Sequence, residues 1–220
     1  VKRPYALMLE NVKQLQTHDK GRTIGVIKEK LEQLGYHVHV KVLNALDFGL
    51  PQKRERILII GFQDDIHFKF PKGTGKYRSL SEVLEPDNEI DPSLFASEQI
   101  QQNRLGKIKK QPFYPSIWHE NKGGNISMLP YSCALRAGAS YNYLLVNGVR
   151  RLSPREMLRL QGFPDDFKIA VSYQAMRKLT GNSVAVPVIE AVAGQMLEAI
   201  RIKKQNTETK QLSLLESLYA

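Results

Sequence analysis

Apolar and polar positions divide the chain into a regular opening, an irregular middle and a regular close. Tyr5-Ala6-Leu7-Met8-Leu9-Glu10-Asn11-Val12 is an apolar run ending in polar residues, which predicts a buried strand a few residues from the start. A polar loop is expected over 14–22. Over 23–34, Ile24, Ile27, Leu31 and Leu34 recur at helical spacing, with Gly35 at the expected stop. Residues 37–42 alternate as a half-buried strand. Ile57-Leu58-Ile59-Ile60 is continuously apolar, as in a strand covered on both faces of a parallel-type sheet. Strand, helix, strand and strand make an α/β fragment. A parallel sheet normally has earlier strands, so the chain's start is expected to be a cut or a subunit boundary.

From residue 63 to about 147 the periodicity fades and Pro and Gly become frequent. Lys72-Gly73-Thr74-Gly75-Lys76 lacks the Gly-to-Lys spacing and following hydroxyl of a phosphate loop, so it is expected to be a mobile turn. Arg104-Leu105-Gly106-Lys107-Ile108-Lys109-Lys110 is a basic run. Trp118, His119, Asn121, Lys122, Gly123, Gly124 and Asn125 group aromatic, amide and basic side chains around a flexible glycine pair. Such a loop can carry donors to base edges or phosphates; an ordinary turn explains it equally well. Order returns at 150–164. Ser153-Pro154-Arg155-Glu156 fits a capping box with Pro at the first helical position, Leu152 and Met157 fall at staple positions, and Gly162-Phe163-Pro164 stops the helix. A short helix over 174–179 and a turn at Gly181-Asn182-Ser183 are expected next. A final helix then carries Val188, Val192, Met196 and Ile200, with Pro187 tolerated in its first turn. Residues 201–220 are polar, then weakly amphipathic, and read as a surface tail.

The densest polar cluster stands just before the most apolar strand. In extended chain Gln52, Arg54 and Arg56 point to one face, at the end of a strand where open α/β sheets keep their ligands. Two guanidinium groups there suit an anion or a heterocycle oxygen; a solvated charged loop is the competing explanation. Charge adds weight to the first. The 220 residues carry a formal net charge of +10 with a pI of about 9.6, which favours an anionic partner, nucleic acid first. Cys133 is the one cysteine, which excludes an internal disulfide and a multi-cysteine zinc site. His37 and His39 share a strand face but lack carboxylate or cysteine at ligand spacing, so they are expected to be solvated, and no metal is expected. The sequence has no run of 18 apolar residues, and residues 1–10 do not resemble a secretion signal. No membrane association and a cytoplasmic, nucleoid-associated location are expected.

Four segments, in order, closely resemble the C-terminal half of bacterial cytosine-C5 DNA methyltransferases. They are Glu10-Asn11-Val12, Pro51-Gln52-Lys53-Arg54-Glu55-Arg56, Arg151-Leu152-Ser153-Pro154-Arg155-Glu156 continuing through Arg159-Leu160-Gln161-Gly162-Phe163-Pro164, and Gly181-Asn182-Ser183-Val184. The resemblance covers about residues 4–200. It implies an α/β fold: the C-terminal part of a methyltransferase-type (Rossmann-like) sheet plus a small, mostly irregular or β target-recognition domain. The implied divisions are 1–70 for the catalytic part, 71–149 for target recognition, 150–200 for a bracing helix and a return helix, and 201–220 for the tail.

The same resemblance implies double-stranded DNA as substrate and S-adenosylmethionine as cofactor. A cysteine thiolate attacks C6 of a flipped-out cytosine and C5 takes the methyl group; flipping is needed because these atoms are stacked in the duplex. By matching, Glu10 would protonate or hydrogen-bond N3, and Arg56 would grip O2 and hold Glu10. Arg54 and Gln52 would support the catalytic loop and nearby phosphate, and Asn11 would help shape the site. Gly181, Asn182 and Ser183 would close the cofactor pocket. Lys122, Gly123, Gly124 and Asn125, with Arg136 in Ala134-Leu135-Arg136-Ala137, resemble the DNA-facing pieces. Arg151, Arg155, Glu156 and Arg159 are implied to be structural.

The family's glycine-rich cofactor strand and Pro-Cys loop precede the Glu-Asn-Val segment and do not occur in this sequence. Cys133 has no preceding Pro and is expected to be a packed side chain. The chain is therefore expected to be inactive alone and to need an N-terminal half or subunit. Two alternatives stay open at this level: a non-catalytic, sequence-specific DNA-binding module, and an inactive truncated remnant.

Overall fold

The computed structural model describes residues 2–219, with side chains described through Gln211. In chain order the elements are β1 (Ala6–Val12), α1 (Arg22–Gln33), β2 (His37–Asn44), β3 (Gln52–Lys53), β4 (Glu55–Phe62), α2 (Glu98–Leu105), β5 (Ile117–Glu120), β6 (Ile126–Leu129), β7 (Ser132–Cys133), β8 (Leu144–Val146), α3 (Pro154–Gln161), α4 (Tyr173–Asn182) and α5 (Val186–Tyr219). They form two compact units. The first comprises Val1–Leu43, Glu55–Lys72 and Val188–Ala220; the second comprises Asn44–Arg54 and Gly73–Pro187.

The first unit is built on a sheet of order β1-β4-β2. β4 is central, and its apolar run is buried: Ile57, Leu58 and Ile60 are fully covered. β1 pairs with β4 antiparallel, from Ala6 opposite Phe62 to Val12 opposite Arg56. Two expectations are thereby corrected. The pairing is not parallel, because a strand buried on both faces looks the same in sequence whichever way its neighbour runs. Nor is β1 buried: as an edge strand it leaves Leu9 and Val12 exposed.

α1 forms where its periodicity predicts, with its stop at Gly35 in the left-handed region (φ +87°), yet none of its residues is buried. The loop expected over 14–22 contains two short 3-10 turns, Lys13–Gln16 and His18–Gly21. His39 is packed rather than solvated. Its ring meets Phe68 edge-on at 5.4 Å, and burial lowers its pKa below the ordinary histidine value. α5 carries the polar segment after residue 200 onward as helix to Tyr219, and the amphipathicity expected over 212–220 lies outside the described side chains. The stretch Tyr173–Gln211 is long and apolar enough, by length and composition, to cross a membrane, which a search for unbroken apolar runs misses. Within α5, Val188, Val192 and Met196 are buried at spacings of four, the stripe of a helix packed on one face.

The second unit has a three-stranded sheet, β6-β5-β8, and a two-residue parallel pair, β3-β7. Its apolar core includes Ile117, Leu144, Val146, Leu152, Leu158 and Leu160. The α3 capping box is present: Ser153 Oγ accepts from the Glu156 amide at 3.1 Å, and the Ser153 amide donates to Glu156 Oε2 at 2.8 Å. Gly162 ends the helix at φ +83°. A side chain there would strike Pro187 Cδ at 2.5 Å, so glycine is required twice over. Gly73 has a packing reason too: a Cβ there would lie 2.3 Å from the Asp47 carbonyl oxygen.

One buried ion pair brackets α3. Arg150, 1% exposed, donates at 2.9 Å to each oxygen of Glu156, which is fully buried, and also to Asp87 and the Glu85 carbonyl. Trp118, expected near the DNA-facing loop, is instead core: it is 2% exposed, donates to Ser116 Oγ at 3.1 Å and lies against Gly148.

Candidate functional site

Glu10 and Arg56 meet because of strand register. Arg56 pairs with Val12, so Glu10, two residues back on β1, is its diagonal neighbour on the same sheet face. Arg56 Nε lies 2.8 Å from Glu10 Oε1, with the two side chains 17% and 26% exposed. The N–H is not aligned on that oxygen, which keeps no aligned donor from within the described residues. A second guanidinium nitrogen of Arg56 donates to the Glu55 carbonyl at 2.9 Å. Burial lowers the Arg56 pKa, and the Glu10 carboxylate opposes that shift. Lys13 and Glu55 pair at 2.8 Å at the same strand ends. This is a fixed cation beside an under-satisfied carboxylate oxygen, able to meet a flat ligand offering both a donor and an acceptor. Asn11 is not part of it. It pairs with Ile57, on the opposite face from Glu10, and its Oδ1 accepts from the Val12 amide.

Gln52 and Arg54 belong to a different set of contacts. Gln52 is fully buried; its amide donates to the Leu160 carbonyl at 2.7 Å and accepts from the Leu135 amide at 3.0 Å. Arg54, 2% exposed, donates to the carbonyls of Leu135 (3.1 Å), Gly181 (3.2 Å) and Ser183. The pair thus pins the 134–137 segment and the end of α4 to the β3 region. A guanidinium 2% exposed among backbone carbonyls braces those segments. Spacing of two along the chain did place three polar side chains close in sequence, but their partners differ.

Gly181 and Asn182 lie in the last turn of α4 rather than in a turn, with Ser183 as its cap. A Cβ on Gly181 would sit 2.3 Å from the Ala137 amide nitrogen, so this glycine admits the 136–137 backbone. Asn182 is exposed. Arg136 is exposed and stacks over the Tyr143 ring at 4.8 Å. Cys133 is half-buried, its thiol pKa raised by burial, with Arg136 and Lys53 opposing.

The 121–125 loop joins β5 to β6 and is tied by its own hydrogen bonds. Asn121 Oδ1 accepts from the amides of Gly123 (2.9 Å) and Asn125 (3.0 Å), and the Asn121 amide donates to the Asn125 carbonyl. Lys122 and Asn125 are exposed at its tip, and Gly124 takes φ +73°. Of the residues implied to be structural, Arg159 pairs with Asp165 at 2.7 Å, Arg155 donates to the Phe167 carbonyl, and Arg151 donates to the carbonyls of Ser93 and Leu94. Sequence reasoning missed Arg150: Asp87 and the Glu85 carbonyl lie more than 60 positions away, and Glu156, six residues on, stands at a spacing that no regular element marks as a pair. It also missed Leu135, whose contribution is its backbone.

A family model described as "C-5 cytosine-specific DNA methylase" matches residues 1–198. The chain is 65% identical over 190 residues, 86% of its length, to the Type II methyltransferase M.NgoBI of Neisseria gonorrhoeae, and spans 60% of that protein. It is 57% identical over 216 residues, 98% of its length, to M.HaeII of Haemophilus aegyptius, and spans 68% of it. Among solved structures, the Entamoeba histolytica methyltransferase EhMeth superposes with a TM-score of 0.67 at 13% identity, covering 91% of this chain and 64% of that one. The S. pombe Dnmt2 methyltransferase gives 0.64 at 17%, covering 90% and 68%. Those structures share the methyltransferase fold. The chain belongs to the C-5 cytosine-specific DNA methylase family.

Proposed function

We propose that this chain supplies the base-holding and DNA-recognising part of a DNA (cytosine-5-)-methyltransferase of a restriction-modification system. The observation that carries this reading is the Glu10–Arg56 pair on one sheet face, with a Glu10 oxygen lacking an aligned donor. Cytosine offers N3 and O2 side by side on one edge. Glu10, as the protonated carboxyl, would donate from one oxygen to N3 and accept from the cytosine N4 amino group through the other, drawing electrons from C6, while Arg56 would donate to O2 and keep the carboxyl in place. Neither group acts on a stacked base, so the cytosine must leave the duplex.

S-adenosylmethionine supplies the methyl group as an electrophilic sulfonium. In this chain, Asn182 would hold its amino-acid end through the exposed side-chain amide. Gly181 and Ser183 serve that segment's position instead, one by admitting the 136–137 backbone and the other by accepting from Arg54. Lys122 and Asn125 at the β5–β6 tip, with Arg136, would face double-stranded DNA.

The nucleophile is the part these residues lack. Cys133 is half-buried with a raised pKa and packs against the core of its unit, the reverse of an activated thiolate. The chain spans 60–68% of the length of its two curated relatives above. The thiolate and the remaining cofactor contacts would therefore come from an N-terminal half or subunit, and the chain alone would not transfer methyl groups. Labelled S-adenosylmethionine and duplex DNA test this: transfer is expected only when the chain is supplied with such a portion. Transfer by the chain alone, dependent on Cys133, would overturn it. DNA binding that never acquires transfer would leave a recognition module.

A further inference from the structure

The basic run at 104–110 is divided by the fold into an anchor, a tie and a rim. Arg104 turns inward at 3% exposure, donating to the carbonyls of Trp118 and Asn142 and to Glu120 at 3.0 Å. Lys107 donates to the Gly124 carbonyl at 3.0 Å. Together they fasten the segment after α2 to the β5–β6 hairpin at both its strand and its tip. Between the two lies a groove of about 810 Å³, lined by 106–111 and Phe113 on one side and 123–128 on the other.

The groove has a definite chemistry. Its lining contains Lys107, Lys109 and Lys110 and no aspartate or glutamate. Lys109 and Lys110 are exposed, and neither has an acidic partner within 4 Å among the described residues. Phe113, 41% exposed, gives one wall an apolar surface. Ammonium groups on a groove flanked by the buried Arg104 contacts and the exposed Lys107 tie suit a line of phosphates with apolar sugar faces between them; lysine is a point charge without the geometry to read a base edge.

We propose that this groove seats the sugar-phosphate backbone of duplex DNA beside the β5–β6 tip, with Lys109 and Lys110 each on a phosphate. This rests on the DNA-acting reading above and adds a site to it. Because these contacts are to the backbone, they set register and affinity without reading sequence.

The test is binding of a fluorescent random-sequence 30-base-pair duplex by the full chain over a salt series. Each phosphate contact contributes a slope of about 0.9 in log K against log salt, so K109A/K110A should lower the slope by about 1.8. K109R/K110R should retain it, and K28A/K30A on α1 should leave it unchanged. Unfolding curves should be unaltered, since neither rim lysine is buried. An unchanged slope for K109A/K110A, or an equal loss for K28A/K30A, would overturn the groove while leaving the methyltransferase reading intact. Absence of salt-dependent duplex binding by the unmodified chain would bring down both.

Discussion

Arg56 Nε stands 2.8 Å from Glu10 Oε1 across two antiparallel strands, although 46 positions separate them in the chain. Their diagonal placement follows from register, so it survives small shifts of either side chain. Truncating Arg56→Ala would leave Glu10 without its cation and lower stability by about 1–3 kcal/mol. Denaturant unfolding of R56A, E10A and R56A/E10A should show the double variant losing less than the sum of the singles.

Gln52 and Arg54 hold Leu135 by opposite backbone groups, its amide to one and its carbonyl to the other. Gln52→Ala leaves the Leu160 carbonyl and Leu135 amide buried without that partner. A loss of about 1–3 kcal/mol is expected in chemical denaturation. A loss below 0.5 kcal/mol, roughly that of a surface substitution, would show that the brace is not in place.

Gly181→Ala would drive a methyl group into the Ala137 amide nitrogen, backbone that cannot turn aside as a side chain can. Overpacking of this kind costs about 1–3 kcal/mol. The accompanying shift of 136–137 should also weaken DNA binding through Arg136. Gly194→Ala, where nothing lies within 4 Å of the added methyl, is the matched control and should be neutral or stabilising.

Arg150 and Glu156 are a fully buried bidentate pair. Removing either alone strands a charge in the core and should cost about 3–5 kcal/mol; R150M/E156L should be more stable than either single variant. Thermal unfolding of the three variants decides it.

Acidification should destabilise the fold through its packed histidines. Burial lowers the pKa of His39, with His37, His67 and Lys28 adding to the effect and Asp65 opposing it; burial also lowers that of His119, reinforced by Arg136 and Arg104. Each is protonated near about 6.5 in the unfolded chain and only at lower pH when folded. The unfolded state therefore binds more protons as pH falls through that window, and stability drops. Urea midpoints from pH 7.5 to 5 should fall, and less steeply in His39→Phe.

Local signals were the most legible. The capping box of α3, its proline and its terminal glycine each depend on residues within one turn, and all formed as the sequence predicts. The Glu10 and Arg56 pairing followed only from the resemblance, since register between distant strands leaves no local mark. What escaped was non-local burial. Arg54 and Arg150 look like surface arginines until distant segments bring in the Leu135 carbonyl for one and Asp87 and the Glu85 carbonyl for the other. β1 looked buried because composition does not distinguish an edge strand from a central one, and Trp118 looked like a ligand-facing aromatic because its partner, Gly148, lies 30 positions away.

The most direct measurement is methyl transfer from labelled S-adenosylmethionine to duplex DNA by this chain joined to the portion of M.HaeII that it does not span. Transfer to cytosine C5 is expected, falling by about two orders of magnitude in Glu10→Gln and comparably in Arg56→Ala, while Cys133→Ser retains full activity. Undiminished transfer by Glu10→Gln, or loss of transfer in Cys133→Ser with folding intact, would contradict the assignment of base-holding to Glu10 and Arg56 and of the nucleophile to residues outside this sequence.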